Sequence, residues 1–322
     1  MSECETSTPP EQVCESWRRF MQAVLALFMA VATGLAFHYA SPAHPDDLKA
    51  EIQQLKQQVR ELRQEQAMPS MVLARYRNSI CYVYGVYSVG FPGQPPALRA
   101  RLSGTGFLVA DNLLATNRHV AQPWYGDPEA DDLIQRGAVP TLEKLQVFFP
   151  GMPTPLDVRP AALSSKGDLA VLRMTGSRQT RQLTALPLAD KASHPGELVA
   201  VVGYPMGVAG MVAKSPNSIY QRLAYRHDDI GTANELAALS LIRPSATCGH
   251  LGDVVGDKLI YDAPTAHGGS GGPVFNSRGE VIGINSAYLD GFSGGTLGIS
   301  AEALRPLIEV AQKDNAASVP IP

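Results

Sequence analysis

Between Phe20 and Ala40 the chain is almost unbroken in apolar residues (FMQAVLALFMAVATGLAFHYA), with Arg18 and Arg19 immediately before it and no Lys or Arg after it until Lys49. A run of about 21 residues matches the hydrocarbon thickness of a bilayer, and flanking basic residues are retained on the cytoplasmic side during insertion. The pattern predicts one membrane span over 20–40, residues 1–19 cytoplasmic and the rest extracytoplasmic, periplasmic in a bacterium. The competing reading is a cleaved signal peptide. Small residues between Ala36 and Ala43 could supply a cleavage site, although the run exceeds the usual apolar length of a signal.

From Asp46 to Gln66 the period changes to a heptad, with Ile52 and Val59 at a and Leu48, Leu55 and Leu62 at d. β-Branched residues at a with Leu at d favour a parallel two-stranded coiled coil, in which Glu51 at g reaches Lys56 at e of a partner helix. So short a coil is marginal in solution, but two chains tethered in one membrane meet at high effective concentration. The alternative is a solvated amphipathic spacer helix packing on its own chain.

Beyond Met68 the texture becomes short β-branched or aromatic runs broken by Gly and Pro: CYVYGVYSV, GTGFLVA, LQVFF, LAVLRM, ELVAVVGYP and GEVIGINSA. These predict an all-β domain over about 72–315, built as sandwich or barrel sheets and closed by a helix over Ala301–Lys313 with Ser300 as its cap. The polar stretch Arg178 to Pro195 reads as a joint between halves at about 72–180 and 190–300.

Composition narrows the function classes. A formal charge of -3, without a basic block, removes the electrostatic footprint of a nucleic-acid binder. Four cysteines, at 4, 14, 81 and 248, are too few for a disulfide scaffold and lack paired zinc-ligand spacing. In an oxidising compartment Cys81 and Cys248 could pair, or remain two buried thiols. Asp131-Asp132 and Asp228-Asp229 read as solvated loops without the ligand spacing of a calcium site, and His194, His227 and His250 are assigned no role.

Three stretches carry candidate chemistry, in the order His, Asp, Ser: SGTGFLV (103–109) followed by LATNRHV (114–120), GDLAVL (167–172), and AHGGSGGPVF (266–275). A serine hydroxyl becomes a nucleophile when an imidazole takes its proton, and a carboxylate holds that imidazole in the right tautomer. Glycines beside the serine let backbone N–H groups, those of Gly268 and Ser270, face an oxyanion without a Cβ in the way.

Together these stretches resemble the signatures of chymotrypsin-fold, trypsin-like serine peptidases, and more closely the HtrA/Deg branch, from about Ser103 to Ile308. GYPMG (203–207) and VIGIN (281–285) fall in family order as well. The resemblance implies two six-stranded antiparallel β-barrels and an endopeptidase without a cofactor, acting on polypeptides in quality control or processing. His119 becomes general base, Asp168 its orienting partner, Ser270 the nucleophile and Gly268 the main oxyanion donor beside it. It further implies that Pro264 floors the primary specificity pocket, that His267 stands on its rim, and that Ile284, Asn285 and Ser286, in a strand running to Tyr288, line the substrate. Residue 269 is Gly where relatives carry Asp or Asn, so the salt bridge that activates digestive zymogens is not expected. No PDZ module precedes Pro322, which speaks against peptide-sensing allostery, and Met211 to Arg243 reads as an inserted lid or partner surface. The rival functions are a non-catalytic, membrane-tethered peptide-binding scaffold of the same fold, which would have lost a triad member, and a protease that cuts only its own linker.

Overall fold

The structure is a computed structural model that describes residues 11–39, 45–175, 183–288 and 295–317. The chain divides into two compact units, residues 1–61 and 62–322. The first contains helix α1 (Glu11–Tyr39) and the beginning of α2 (Pro45–Tyr76). Among the described residues no helix is long and apolar enough to cross a membrane. The side chains of α1 are described from Trp17 to Thr33 only, and residue 40 of the expected 20–40 span lies outside the described residues. The heptad positions Leu48, Ile52, Leu55, Val59 and Leu62 are all solvent-exposed.

The helix expected to end at Gln66 continues through Pro69 to Tyr76. An interior proline costs about 3 kcal/mol. Against that, Met68, Val72 and Tyr76, at i, i+4 and i+8, are all buried, each contributing roughly 2 kcal/mol. Tyr76 stacks on Phe275 at 5.5 Å between ring centroids. The second unit therefore begins with a helical turn docked beneath its C-terminal barrel, ahead of its first strand.

That strand is β1 (Ile80–Gly90), followed by β2 (Leu98–Ala110), β3 (Leu113–Thr116), the short helices α3 (Arg118–Ala121) and α4 (Pro128–Gln135), β4 (Val139–Phe148), β5 (Leu156–Leu163) and β6 (Ala170–Met174). They close a barrel in the order β1-β2-β3-β6-β5-β4. After β7 (Leu198–Gly203) come α5 (Gly207–Ala213), α6 (Asn217–Leu223) and α7 (Asp229–Ala238). Then β8 (Ser245–Val255), β9 (Lys258–Tyr261), β10 (Pro273–Phe275), β11 (Val281–Tyr288) and β12 (Thr296–Ser300) close a second barrel, β10-β11-β12-β9-β8-β7. Ladders within both barrels are antiparallel. A 3-10 turn, Ala301–Leu304, capped by the Ser300 hydroxyl, leads into α8 (Arg305–Ala317). Buried Arg173 of β6 donates to the Ala311 carbonyl of α8, so the chain's last helix returns to the first barrel.

β1 shows why its sequence is apolar without alternation. Cys81 and Val83 point into the first barrel with Leu114, Val147 and Leu172. Ile80, Tyr82 and Tyr84 point the other way, into a core between the barrels shared with Phe107, Tyr204 and Phe275. Both faces of the strand are buried, so the period-2 signal disappears.

Three expectations are corrected. Cys81 and Cys248 are free thiols, one buried in the first barrel and the other exposed on β8, and burial pushes the Cys81 thiol well up. The acidic pairs are helical: Asp131 and Asp132 lie in α4, where Asp132 pairs with Arg136, while Asp228 caps α7 and Asp229 meets Arg101 at 3.2 Å. The insertion is no free-standing lid, since Met211, Val212, Leu223, Leu236 and Ile242 are buried in the inter-barrel core with Tyr82 and Tyr204. Of the expected joint, residues 178–182 lie outside the described residues, and the remainder runs without a strand apart from a bridge between Leu188 and Val281.

Candidate active site

β3 ends at Thr116, and the next residues turn through the single helical turn of α3 with Asn117 at its N-cap. Asn117 Nδ2 donates to the Asp168 carbonyl at 2.8 Å, and Arg118 Nη1 donates to the Ser164 carbonyl at 2.7 Å. The histidine turn is thereby tied to the loop entering β6. Asp168 completes the link: Oδ1 accepts the backbone N–H of His119 at 2.9 Å and Oδ2 meets its ring Nδ1 at 2.8 Å. A third donor, the Ser286 hydroxyl, reaches Oδ2 at 2.8 Å.

Burial of Asp168 works against its charged form, but the hydrogen bonds from the His119 ring, the His119 N–H and Ser286 outweigh it and hold the carboxyl below its usual range. An ionised carboxylate can only accept, so the facing Nδ1 carries the proton. In the neutral imidazole the lone pair then lies on Nε2, the form that can take a proton from a neighbour.

The second barrel brings up residues 264–272, the turn before β10. Gly268 sits at φ +90°, where a Cβ would lie 2.5 Å from the Tyr204 carbonyl oxygen and 2.8 Å from Gly207 N. Gly271, at φ +86°, would drive a Cβ into the Thr105 carbonyl. The glycines are required by backbone pressed against backbone as well as by φ. Thr105 of β2 grips the turn twice, its N–H donating to Ser270 O at 2.8 Å and its hydroxyl to Gly268 O at 2.7 Å. The SGTGF stretch of the first barrel thus positions the serine of the second. The His267 carbonyl accepts from Met206 N–H at 2.6 Å. Because C=O and N–H oppose one another across a planar peptide, the Gly268 N–H faces away from Met206. The Gly268 and Ser270 N–H groups have no protein partner among the described residues.

His119, Asp168 and Ser286 are hydrogen-bonded together, and the Ser270 hydroxyl bonds to the Ser286 carbonyl at 2.9 Å. Pro264 accepts from Thr247 Oγ1 at 2.7 Å. Ile284 and Asn285 are buried, and their backbone edge is taken by β10 and the serine turn, with Ile284 opposite Pro273 and Asn285 N–H bonded to Gly272 O. Among the described residues that edge has no strand partner from Ser286 to Tyr288. The grips of Thr105 and of the Ser286 hydroxyl were not read from sequence. Both residues lie inside recognisable stretches, but a bond between segments far apart in the chain leaves no local period.

Two packed barrels carrying His and Asp on one and Ser on the other define a double-barrel peptidase fold. The family profile of the trypsin-like peptidase domain matches residues 104–284, and the chain belongs to that family. Among curated relatives, a probable periplasmic serine endoprotease DegP-like from Rhizobium meliloti is 30% identical over 69% of this chain and 35% of its own length. The mitochondrial serine protease HTRA2 of Bos taurus is 28% identical over 66% of this chain and 37% of its own. The chain therefore spans about a third of the length of these relatives. A serine endoprotease structure from Yersinia pestis superimposes with a TM-score of 0.49 at 19% identity, over 76% of this chain and 67% of that one.

Proposed function

We propose that the protein is a serine endopeptidase working through an acyl-enzyme, with Ser270 as nucleophile, His119 as general base, Asp168 as orienting carboxylate and the Gly268 and Ser270 N–H groups as oxyanion donors. The carrying observation is the double grip of Asp168 on His119, on the ring at 2.8 Å and on the backbone at 2.9 Å, which in the neutral imidazole puts the proton on Nδ1 and the lone pair on Nε2. In the reaction the Ser270 hydroxyl gives up its bond to the Ser286 carbonyl and turns about χ1 toward Nε2. Its proton passes to His119 as Oγ bonds to the scissile carbonyl carbon. His119 then returns the proton to the departing amine as the C–N bond breaks, and water repeats the sequence on the ester. The test is a fluorophosphonate probe on the purified full chain: labelling at Ser270 that disappears in Ser270→Ala is expected. An unlabelled wild type would leave a non-catalytic scaffold of the same fold.

Gly268→Ala is expected to lower kcat by about 10²–10³-fold with the fold retained, since the turn must shift to make room for the Cβ and one oxyanion donor moves out of place. Steady-state kinetics beside a thermal melt would show it, and a kcat within twofold of wild type would remove Gly268 from the oxyanion hole.

The primary pocket should accept small or medium apolar side chains, because Pro264 carries no charge at its floor and the Thr265 hydroxyl is bonded to Asn285 at 3.1 Å. The substrate backbone would add as a strand along the free edge from Ser286 to Tyr288. A peptide-library profile dominated by cleavage after Lys or Arg would contradict this pocket.

The domain works outside the cytoplasmic membrane in this reading, anchored by residues 20–40, with residues 1–19 inside. The part of the run whose side chains are described, 20–33, measures about 21 Å along a helix, whereas the whole run measures about 31 Å, close to the roughly 30 Å hydrocarbon core. Support comes from Arg18 and Arg19 before the run and from relatives described as periplasmic. The exposed stripe Leu48, Ile52, Leu55, Val59 and Leu62 pairs with the same stripe of a second copy. Ile52→Asp with Leu55→Asp places charge in that seam, and crosslinking in membranes should shift from dimer to monomer. Equal crosslinking in both would make the helix a spacer.

A further inference from the structure

Asn285 is 1% exposed, yet its side-chain atoms are engaged around the turn that carries Ser270. Nδ2 donates to the Gly269 carbonyl at 2.9 Å and to Thr265 Oγ1 at 3.1 Å, while Oδ1 accepts from the Tyr261 hydroxyl at 2.8 Å. The Gly269 carbonyl can only accept, which fixes which end of the amide faces it. The Asn285 backbone adds two more ties, its N–H to Gly272 O and its carbonyl to Gly271 N–H, both at 2.8 Å.

The Gly269 carbonyl and the Ser270 N–H belong to one planar peptide and point in opposite directions. Holding the carbonyl against Nδ2 therefore turns the Ser270 N–H away from Asn285. Were this peptide to flip, the N–H would face Nδ2, leaving two buried donors without an acceptor between them. Residue 269 has no side chain to anchor it; its backbone N–H donates to Ala266 O at 2.9 Å and its carbonyl also accepts from Gly272 N–H at 3.1 Å. A Cβ there would press on Thr265 Oγ1 and come within 3.0 Å of the Ala266 carbonyl and 3.5 Å of Asn285 Nδ2. The space beside the turn is already filled by the groups that hold it.

We propose that Asn285, backed by Tyr261, is a positioning residue that fixes the orientation of the Gly269–Ser270 peptide and so keeps the Ser270 N–H available as an oxyanion donor. This rests on the peptidase reading above. Tyr261 is fully buried, and burial pushes its phenol well above its ordinary ionisation range, so it remains a donor to Oδ1. A donated bond at one end of the amide strengthens the one given at the other.

The test uses the full chain, with kcat and KM on a chromogenic peptide, probe labelling at Ser270, and affinity for a peptide boronic acid that forms a tetrahedral adduct. Asn285→Ala is expected to lower kcat about 10–100-fold with KM within about twofold. Boronate affinity should fall in parallel, while affinity for the unreactive product peptide stays. Asn285→Asp supplies the signature a purely structural role lacks. Its protonated carboxyl can donate to Gly269 O and its ionised form cannot, so its kcat relative to wild type should fall as pH rises. Tyr261→Phe keeps the ring and should cost about 2–5-fold in kcat. Should Asn285→Ala fail to fold, the other two variants decide the matter: a flat pH ratio for Asn285→Asp with wild-type kcat in Tyr261→Phe overturns the proposal. An unlabelled wild type would instead sink the peptidase reading itself, whereas labelled wild type with undiminished Asn285 variants sinks only the positioning role.

Discussion

Ser270→Ala and His119→Ala are each expected to lower kcat by about 10⁶-fold, and the double variant by no more than either alone, because nucleophile and base act as one unit. Both variants should remain folded. The Ser270 hydroxyl contributes one hydrogen bond, to the Ser286 carbonyl, worth about 1 kcal/mol. Removing the His119 ring leaves Asp168 still bonded to the His119 backbone N–H and to Ser286. Casein and chromogenic-peptide hydrolysis, measured beside thermal melts, check both points. Wild-type hydrolysis in either variant would falsify the serine-peptidase reading, and additive losses in the double variant would mean that His119 and Ser270 act independently.

Asp168→Asn should cost about 10⁴-fold in kcat, less than loss of the nucleophile, because the residual machinery survives while the imidazole is held in the wrong tautomer. An amide at 168 can turn its NH₂ toward Nδ1, which must then accept, placing the proton on Nε2 where the Ser270 proton needs to go. The same substitution has a pH signature. The Asp168 carboxyl is depressed in the fold, so its contribution to stability is fully present above the unfolded carboxyl value, about 3.8 to 3.9. That contribution is lost as pH falls through the lower folded value. Between pH 7 and 3 the wild type should therefore lose stability below about pH 4 by a component that Asp168→Asn lacks. Parallel unfolding curves for the two proteins across that range would show that Asp168 is not held ionised by its partners.

Much of the site was legible because its requirements are local. His119, Asp168 and Ser270 each sit in a stretch whose composition serves the immediate backbone: a buried Thr-Asn pair before the histidine turn, a buried strand after the aspartate, glycines around the serine where backbone meets backbone. What was misread had its cause elsewhere in the chain. Asn285 and Ile284 were expected to line the substrate; both are buried, with their backbone edge taken by β10 and the serine turn. Asp228-Asp229 were read as loop because a helix cap on an inserted segment has no apolar period to announce it. The heptad pattern ends at Gln66, whereas the helix runs on through Pro69 to Tyr76, because the burial that holds its last turns depends on Phe275, about two hundred residues later in the sequence.

By itself the sequence determined the all-β character of the domain, the order of the candidate catalytic residues, and the terminal helix with its Ser300 cap. Each depends on a spacing of a few residues, where propensity and steric limits act directly. Only the tertiary structure decided which side chains hold the serine turn, which edge of β11 is free, and that residues 211–243 form part of the core. Those outcomes depend on two closed barrels bringing β2, β11 and the inserted helices against one turn. Carbonyls and N–H groups buried there must find partners wherever the packing places them, and no local spacing specifies where that is.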